Sequence, residues 1–343
     1  MTTPGNGGRR RRGEVTVATI AQLAGVSVPT VSKVLNGRAG IAAETRDRVE
    51  ALLREHGYRR ADAVTTTPNI EVAFFGLESH LAMEILRGVE QTVRERDLAV
   101  GFTDLQGPVP GGRRPADRLL ARRPTGVIAV NSAFRVRQYE QLIASGVPMV
   151  VLDPTGEPTH TIPSVGATNW SGGVAATRHL LDLGHRRIGV ITGPMEYLCA
   201  RARLEASRGA LETAGHPLEA DLVRHGRFTF EDGIDLGHEL LSRADRPTAV
   251  VCGDDLQALG VYEAARRLGL RIPADLSVVG FDDIEVTRWC GPPMTTVRQP
   301  FAEMGATAAR MVLQLAQGEV VEPARVELAT ELVVRGSTAP PTI

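Results

Sequence analysis

The sequence predicts an α/β protein, in which a small all-α helix-turn-helix domain precedes a two-lobed core of doubly wound parallel sheets. Residues 17–36 contain two short helical patterns joined by a glycine turn. From Ile70 onward, short apolar runs alternate with amphipathic helical segments, a rhythm typical of parallel sheets with helices on both faces. With 343 residues, the chain is long enough for one small and two medium domains.

Charge is distributed unevenly along the chain. Residues 1–62 carry eleven Lys and Arg against six Asp and Glu, and because the whole chain has a net charge of −1, the remainder carries −6. A basic head on an acidic body indicates nucleic-acid binding at one end only. Lys33, the sole lysine, lies in the second helical pattern.

The composition excludes several other classes of protein. No apolar run reaches the roughly 18 residues that span a bilayer, and the arginine-rich N-terminus lacks the apolar segment of a secretory signal. The three cysteines are unclustered, which indicates reduced side chains rather than disulfides or a metal site. We therefore expect a cytoplasmic protein that binds no metal and needs no cofactor.

The first helical pattern gathers apolar residues on one face, with small residues where a second helix must cross closely. These residues are Ile20, Ala21, Leu23 and Ala24. Gly25 follows at the position where a helix ends in a left-handed turn. Ser27 is a good N-cap for the second helix, and Pro29 falls in its first turn, where a missing N–H does little harm.

The second helix separates inward apolar positions from polar ones. The inward positions, at helical spacing, are Val31, Val34 and Leu35. The positions that point elsewhere and can hydrogen-bond are Thr30, Ser32, Lys33 and Asn36. Two helices of this size joined by a glycine turn are typical of the DNA-reading helix-turn-helix. The alternative is an ordinary helical hairpin at the start of a domain.

Three segments flank this unit. Residues 1–15 are rich in glycine and arginine, and we expect a disordered basic tail there. A third helix, from Ala43 to His56, completes a DNA-binding domain over residues 16–58. Residues 59–69 are polar and threonine-rich and contain Pro68, which indicates a linker.

The rest of the chain is predicted to form two lobes of repeated βα units. Strands are expected over residues 70–77, 127–130, 148–152, 188–192, 249–252 and 277–281. Helices are expected over residues 82–97, 137–144, 172–183, 201–214, 231–241 and 255–268. The strand-like runs Met294–Val297 and Val326–Val334 come too late to start a third domain, so they are expected to return to the lobes. The first lobe is assigned residues 70–166 and 298–325, and the second residues 167–297 and 326–337.

Polar side chains follow several predicted strands, at the edge where open α/β sheets bind ligands. They are Glu78, Ser79, Asn131, Asp153, Asp254, Asp255, Asp282 and Asp283. Arg201 and Arg203 can supply a planar fork of donors beside these carboxylates. The aromatic rings that can lie against the face of a sugar are Phe134, Trp170 and Phe228. This pattern favours a neutral polyhydroxy ligand over a phosphate.

Two sets of phrases resemble the LacI/GalR family of transcription regulators. In the headpiece, A-G-V-S at residues 24–27 precedes T-V-S-K-V-L-N at residues 30–36. In the body the matching phrases are LLDLGHRRIGVITGP (180–194), TAVVCGDDLQALG (248–260), SVVGFDDI (277–284) and PMTTVRQP (293–300). The resemblance covers roughly residues 16–336. It implies a periplasmic-binding-protein-like core, similar to type I periplasmic sugar-binding proteins.

The resemblance implies a sequence-specific DNA-binding transcriptional regulator, which we expect to be a repressor that acts as a homodimer on a pseudo-palindromic operator. A small polar effector between the lobes, expected to be a mono- or oligosaccharide, would control its affinity for DNA. The expected effector contacts are Ser79, Asn131, Asp153, Arg203, Phe228, Asp254, Asp282 and Gln299. The expected DNA contacts are Thr16, Val28, Pro29, Thr30, Ser32, Lys33, Asn36, Arg59 and Arg60.

The family's docking mode gives these DNA contacts different roles. Lys33 can donate to guanine O6 or N7, whereas Val28 and Pro29 offer only apolar contact, for instance with thymine methyl groups. The residues expected to hold phosphates are Thr16, Thr30, Ser32 and Asn36.

The chain also departs from the family pattern. Family members often carry Asn where this chain has Asp254. Thr67 stands where they carry a leucine wedge that kinks the operator through the minor groove, and a run of threonines is a poor helix former. We therefore expect a weaker kink, or greater reliance on Arg59, Arg60 and the N-terminal arm. Asp255 and Asp283 are interpreted as N-caps of the helices that follow them.

Two other classes of function are weighed against this one. A solute-binding protein for transport would share the core, but the basic headpiece and the missing signal peptide argue against it. An enzyme is disfavoured because the sequence lacks a phosphate-binding loop, a G-x-S-x-G elbow and an H-E-x-x-H motif. Paired carboxylates would suit glycoside hydrolysis, but they suit sugar binding without chemistry equally well.

Overall fold

The computed structural model describes residues 17–35, 41–56, 68–74, 81–105, 115–130, 142, 144–154 and 162–342. The chain divides after residue 66 into two compact units, a small headpiece and a larger core. The predicted tail and the predicted linker, except for Pro68 and Asn69, lie outside the described residues.

The headpiece contains three helices: α1 Val17–Ala24, α2 Val28–Leu35 and α3 Ala43–Glu55. Its apolar centre is made by Ile20, Val31 and Val49, all fully buried. Gly25 has a φ of +64°, in the left-handed region that glycine enters without strain. The Ser27 hydroxyl accepts a hydrogen bond from the Thr30 N–H at 3.3 Å, as expected of an N-cap.

One residue of the predicted apolar face of α1 is exposed rather than buried. Leu23 is 51% exposed, whereas Ile20, Ala21 and Ala24 on the same helix are buried. At 3.6 residues per turn, Leu23 lies outside the arc of the helix that Ile20, Ala24 and Ala21 share, so its side chain is turned away from the buried side.

The core continues the numbering in chain order. Its helices are α4 Ala82–Arg94, α5 Pro115–Ala121, α6 Asn169–Asp182, α7 Leu198–Thr213, α8 Phe230–Leu241, α9 Asp255–Arg267 and α10 Phe301–Ala316. Its strands are β1 Asn69–Phe74, β2 Ala99–Asp104, β3 Gly126–Val130, β4 Met149–Leu152, β5 Ser164–Ala167, β6 Ile188–Thr192, β7 Val223–His225, β8 Ala249–Cys252, β9 Ser277–Asp282, β10 Thr295–Arg298, β11 Arg325–Leu328 and β12 Glu331–Val333. Short 3-10 turns occur at Ala220–Leu222 and Glu285–Arg288.

The strands form two six-stranded sheets, one in each lobe. The first sheet has the order β11-β5-β4-β3-β1-β2 and is parallel throughout. The second has the order β12-β10-β9-β8-β6-β7, and only the β10–β12 pair within it is antiparallel. Every residue of β3 and β4 is buried, as expected of strands covered on both faces. The predicted fold class is confirmed.

The chain passes between the lobes three times. It leaves the first sheet after β5, returns between β10 and α10, and crosses again between β11 and β12. The first and third crossings are joined by the Thr168 and Thr330 hydroxyls at 3.1 Å, and the Thr330 N–H donates to Thr168 Oγ1 at 3.0 Å. These hydrogen bonds between Thr168 and Thr330 therefore join the first crossing to the third.

The sheet topology contradicts the prediction made for the last strand. The run Val326–Val334 was expected to lie wholly in the second lobe. Instead β11 pairs with β5 in the first sheet, whereas β12 pairs with β10 in the second. The reason is a chain crossing at residues 329–330, where Thr330 bonds to Thr168 and breaks the apparent strand.

Helix α10 was missing from the predicted elements. It packs against α4 so closely that a Cβ on Gly88 would lie 1.7 Å from the Ala302 carbonyl oxygen, and one on Gly305 would lie 2.3 Å from the Ile85 carbonyl oxygen. Met304, Ala308 and Val312 recur at helical spacing and are buried, a pattern from which this helix could have been predicted.

Among the described residues, no single helix is long and apolar enough to cross a membrane. Helices α1 and α2 reach the length and apolar composition of a membrane span only when taken together, and the chain bends by 101° at the turn between them.

Candidate ligand cleft and nucleic-acid interface

Four polar residues lie at the carboxyl ends of strands in the two lobes. Asp153 follows β4 of the first sheet. Asp254 comes after Gly253 at the end of β8, Asp282 ends β9, and Gln299 follows β10 on the second crossing. This edge is where open α/β sheets bind ligands.

Arg203 is the cation of this site, and its guanidinium is held on several sides. The side chain projects from α7 and is only 7% exposed. Its Nε donates to Asn169 Oδ1 at 2.9 Å, and its Nη1 donates to the Gly253 carbonyl. The guanidinium carbon lies 3.6 Å from the centre of the Phe281 ring, a cation–π contact. Arg203 is therefore preorganised rather than free to search for a partner.

Asp282 and Gln299 form a buried pair beside Arg203. Gln299 Nε2 donates to Asp282 Oδ1 at 2.6 Å, and the same carboxylate oxygen lies 3.7 Å from Arg203 Nη2. Asp282 has a φ of +115°, which is rare for a residue with a side chain and marks a strained position. Gln299 Oε1 is the only buried side-chain polar atom without a hydrogen-bond partner among the described residues. A buried acceptor of this kind can accept a hydrogen bond from a bound molecule or from a water.

Asp254 caps a helix and lies close enough to Asp282 and Arg203 for their charges to act on it. Its Oδ1 accepts from the Gln257 N–H at 2.8 Å at the start of α9. Burial, reinforced by the negative charge of Asp282, raises the pKa of Asp254 to about 7. Burial also raises the pKa of Asp282 to about 6, although Arg203 opposes the shift. For Asp153, burial raises the pKa and the charge of Arg203 counteracts it.

The ring of Phe228 packs closely against Gly193 and Gly253, which follow strands β6 and β8. Its φ of +62° is in the left-handed region, and its ring stacks on Tyr197 with centroids 6.3 Å apart. A Cβ on Gly193 would lie 2.0 Å from the ring, and one on Gly253 would lie 2.9 Å away. Glycine at these strand ends therefore makes room for the aromatic ring.

Two interpretations of the paired aspartates are wrong. The N-cap of α9 is Asp254, whereas Asp255 lies one residue further on and is fully buried. Asp255 accepts from the Ile284 N–H at 2.9 Å and from the Thr296 hydroxyl at 2.6 Å, so it ties strand ends together. Asp283 likewise caps no helix.

Asp283 instead anchors two arginines. It accepts from Arg298 Nε at 2.7 Å and from Arg335 Nη2 at 2.6 Å. Burial would raise the pKa of Asp283, but these hydrogen bonds hold it below its usual value. Asp283 thus joins β10 to the segment after β12.

Acceptors outnumber donors in this cleft. Asp153, Asp254 and Asp282 all lie close enough to Arg203 for its charge to act on them, and its guanidinium is already engaged with Asn169 and Gly253. The amide oxygen of Gln299 is a further acceptor without a partner. Such a set can accept hydrogen bonds from the hydroxyl groups of a polyol. No group of three or more His, Cys, Asp or Glu that could hold a metal ion occurs within the part of the chain that the structure describes.

Some predicted contacts lie outside the described residues, and some residues at the site were not predicted. Ser79 and Asn131, together with Glu78 and Phe134, fall outside. Asn169, Tyr197 and Cys199 were missed. Asn169 follows β5 at the start of α6, so the strand-end argument applied to it as well.

Helix α2 presents most of the expected DNA contacts on its surface. Val28 is 46% exposed, and Pro29, Ser32 and Lys33 are also exposed. Thr30 is half-buried, and its hydroxyl lies 2.9 Å from that of Ser27. The expected contacts that lie outside the described residues are Thr16, Asn36, Arg59 and Arg60.

Two family models match the chain. Residues 16–61 match the model described as bacterial regulatory proteins, lacI family. Residues 177–338 match the periplasmic binding protein-like domain.

Characterised relatives match almost the whole chain. It is 35% identical to the HTH-type transcriptional regulator MalR of Streptomyces coelicolor, covering 94% of this chain and 96% of that protein. It is 35% identical to the HTH-type transcriptional regulator CelR of Thermobifida fusca, covering 96% and 99%. The HTH-type transcriptional repressor PurR of Pasteurella multocida is 31% identical, with 94% and 98% covered.

Solved structures match over the same length. A complex of the transcriptional regulator CelR with cellobiose superimposes with a TM-score of 0.70 at 33% identity, covering 94% of this chain and 99% of that one. The lac repressor dimer bound to operator and the anti-inducer ONPF superimposes with a TM-score of 0.70 at 30% identity, covering 95% and 99%.

Proposed function

The chain belongs to the LacI family of bacterial regulatory proteins, and we propose that it is a repressor whose operator affinity is set by a saccharide in the cleft. It is a DNA-binding transcriptional regulator, and its family consists of regulators rather than enzymes. The observation that carries the sensor role is the buried, unpartnered Oε1 of Gln299 beside Asp282.

The position of Gln299 makes it suited to a sensor. It lies on the second crossing between the lobes, so a ligand that donates to its amide oxygen is tied to the connection itself. The same ligand can reach Asp282 and Arg203 of the second lobe and Asp153 of the first. A molecule with several hydroxyl groups would satisfy these acceptors together and stabilise one relative position of the lobes.

For DNA recognition we propose α2 as the reading helix. Its exposed surface carries Lys33, which can donate to a guanine edge, and Val28 and Pro29, which can contact thymine methyl groups. Thr30 and Ser32, together with Thr16, Asn36, Arg59 and Arg60, would hold phosphates and fix the register without reading sequence.

A homodimer is the assembly that fits this role. The second lobe has an apolar groove lined by Phe230, Leu259, Tyr262, Ile272 and Pro292. Trp289, in the 285–292 segment that borders it, is 70% exposed. A second copy of the chain would bury this surface. Two copies would then present two reading helices to a pseudo-palindromic operator.

The test is a selection of binding sites followed by a ligand screen. Duplexes selected from a random pool should contain two-fold-symmetric half-sites, and fluorescence anisotropy should give the affinity for the best one. At least one saccharide should then change that affinity about tenfold or more, a coupling typical of allosteric proteins. Random duplexes bound as tightly as selected ones would refute the regulator, and an affinity that no saccharide alters would refute the sensor.

A further inference from the structure

A second cavity lies beside the effector cleft and shares Asp153 with the expected effector contacts, and Trp170, one of the candidate sugar-stacking rings, also lines it. On one side it is bounded by the first lobe, through β5 and β11. On the other side it is bounded by the starts of α6 and α7 in the second lobe, with Trp170 and Leu198 among the lining residues. Its volume is about 210 Å³, smaller than the ~300–1,000 Å³ of complete small-molecule sites, so it can hold one unit of a ligand rather than a whole ligand.

The walls of this cavity combine an aromatic face with polar groups. Trp170 is 56% exposed although it lines the cavity, so its indole has no covering partner. Arg325 and Glu327, on β11, form an ion pair at 3.0 Å in the opposite wall. The side-chain amide of Asn169 lies in the same wall as Trp170 and also bonds to Arg203.

Asp153 connects the cavity to the cleft. It lines the cavity, and it is close enough to Arg203 for the guanidinium to act on its charge. A molecule held by Arg203 and Asp282 can therefore extend past Asp153 towards Trp170 without leaving the protein surface.

We propose that this cavity is a second saccharide subsite and that the effector is a disaccharide or a longer saccharide, with Trp170 as the stacking surface for its second unit. The proposal rests on the saccharide sensor proposed above. A pyranose has an apolar C–H face that packs on an aromatic ring and hydroxyl groups at its rim that reach Arg325, Glu327 and Asn169. Since the walls belong to both lobes, the second unit also bridges them.

Gly166 offers a way to close the subsite without touching the cleft. It lines the cavity on β5, and a Cβ added there would meet no atom within 4 Å. A Gly166→Leu variant should therefore fold normally and fill the cavity with its own side chain.

The experiment is isothermal titration with maltose, cellobiose, lactose, trehalose, sucrose and xylobiose, each beside its constituent monosaccharides. At least one disaccharide should bind about tenfold or more tightly than its constituents. Trp170→Ala should weaken that disaccharide about tenfold and change monosaccharide affinity less than about twofold, since one aromatic contact contributes on this order. Gly166→Leu should have the same selective effect. Trp170→Phe should retain most of the affinity.

A matched control is Phe102→Ala, which removes an aromatic ring with the same 56% exposure from β2. It should leave every affinity unchanged. The subsite is refuted if a monosaccharide binds as tightly as any disaccharide, or if Trp170→Ala and Gly166→Leu leave disaccharide affinity intact. If no saccharide in the series binds at all, the saccharide sensor itself fails, and the subsite with it.

Discussion

The carboxylate of Asp282 lies 3.7 Å from the guanidinium of Arg203, and both side chains are more than nine-tenths buried. Neither charge has ready access to water, so each depends on the other and on its neighbours. Asn169, Gly253 and Phe281 complete the surroundings of the arginine. The pair thus joins the stability of the second lobe to the chemistry of the cleft.

Replacing Arg203 by methionine should destabilise the core and abolish effector binding. The change leaves the Asp282 carboxylate buried without its cation, a type of loss that amounts to about 3–5 kcal/mol. Urea unfolding measures the first effect and calorimetric titration the second. Arg201→Met is the matched control. Arg201 lies two positions earlier on α7, and its one described hydrogen bond, to the Met195 carbonyl, is long at 3.4 Å. Equal unfolding free energies for the two variants would contradict the assignment.

Asp254→Asn should stabilise the protein in a pH-dependent way. The pKa of Asp254 is raised from 3.8 to about 7, so between these values the folded protein keeps a proton that the unfolded chain releases. Stability therefore falls as pH rises through this window. The variant should gain melting temperature at pH 8 and show little change near pH 4, because asparagine also caps a helix.

Asp283→Asn gives the opposite sign and serves as the contrast. Although burial acts the other way, hydrogen bonds from Arg298 and Arg335 lower the pKa of Asp283, so its contribution is present above the unfolded pKa and lost as pH falls. This variant should be destabilised at pH 7 and less so in acid. Parallel pH profiles for the two variants would contradict the opposite pKa shifts of Asp254 and Asp283.

Gly88→Ala should disrupt the first lobe. The added methyl would lie 1.7 Å from the Ala302 carbonyl oxygen, so α4 and α10 would have to separate. We expect a loss of several kcal/mol, at least the ~1–3 kcal/mol typical of overpacking. Gly209→Ala is the control, since a Cβ there meets nothing within 4 Å and α7 would gain up to about 1 kcal/mol in helix propensity. Chemical denaturation of both variants measures the difference, and similar midpoints would contradict this packing.

Lys33→Ala should reduce discrimination more than general affinity for DNA. If its ammonium reads a guanine, the variant should lose about 1–3 kcal/mol on the selected operator and tolerate substitutions at one base pair of each half-site. Arg48→Ala removes a cation from α3 of the same headpiece and should leave base preference unchanged. Anisotropy titrations at several salt concentrations separate the two effects. A uniform loss on all duplexes from Lys33→Ala would assign this lysine to phosphate contact.

The sequence predicted the parts of the fold that depend on local periodicity and turn chemistry. Gly25 and Ser27 delimited the headpiece helices, and the apolar runs of β3, β6 and β8 stood out as strands. The failures came from tertiary context. Thr330 divides an apolar run that looked continuous, because it bonds to a residue 162 positions away. Leu23 was grouped with the buried residues because it is apolar, although its helical position lies outside their arc and its side chain is exposed.

Part of the site could also be predicted from the sequence, because it too depends on local features. Strand ends are local features, so Asp153, Asp254 and Asp282 could be listed as candidates. Whether Asp254 or Asp255 caps α9 depends on the residue at which the helix begins. The helix begins at Asp255, so Asp254 has the capping geometry. The cavity beside Trp170 is built from four separated segments, and no window of the sequence contains them together.

The three passages of the chain between the lobes have a consequence for how such proteins can be recombined. A headpiece can be exchanged by a single junction ahead of β1, since everything before it is contiguous. Exchanging one lobe requires three coordinated junctions, at residue 168, at residues 299–300 and at residues 329–330, and each would have to preserve contacts such as that between Thr168 and Thr330. New pairings of operator and signal should therefore arise by headpiece shuffling, whereas a core with a new specificity should arise from point changes within an intact core rather than from exchange of one lobe.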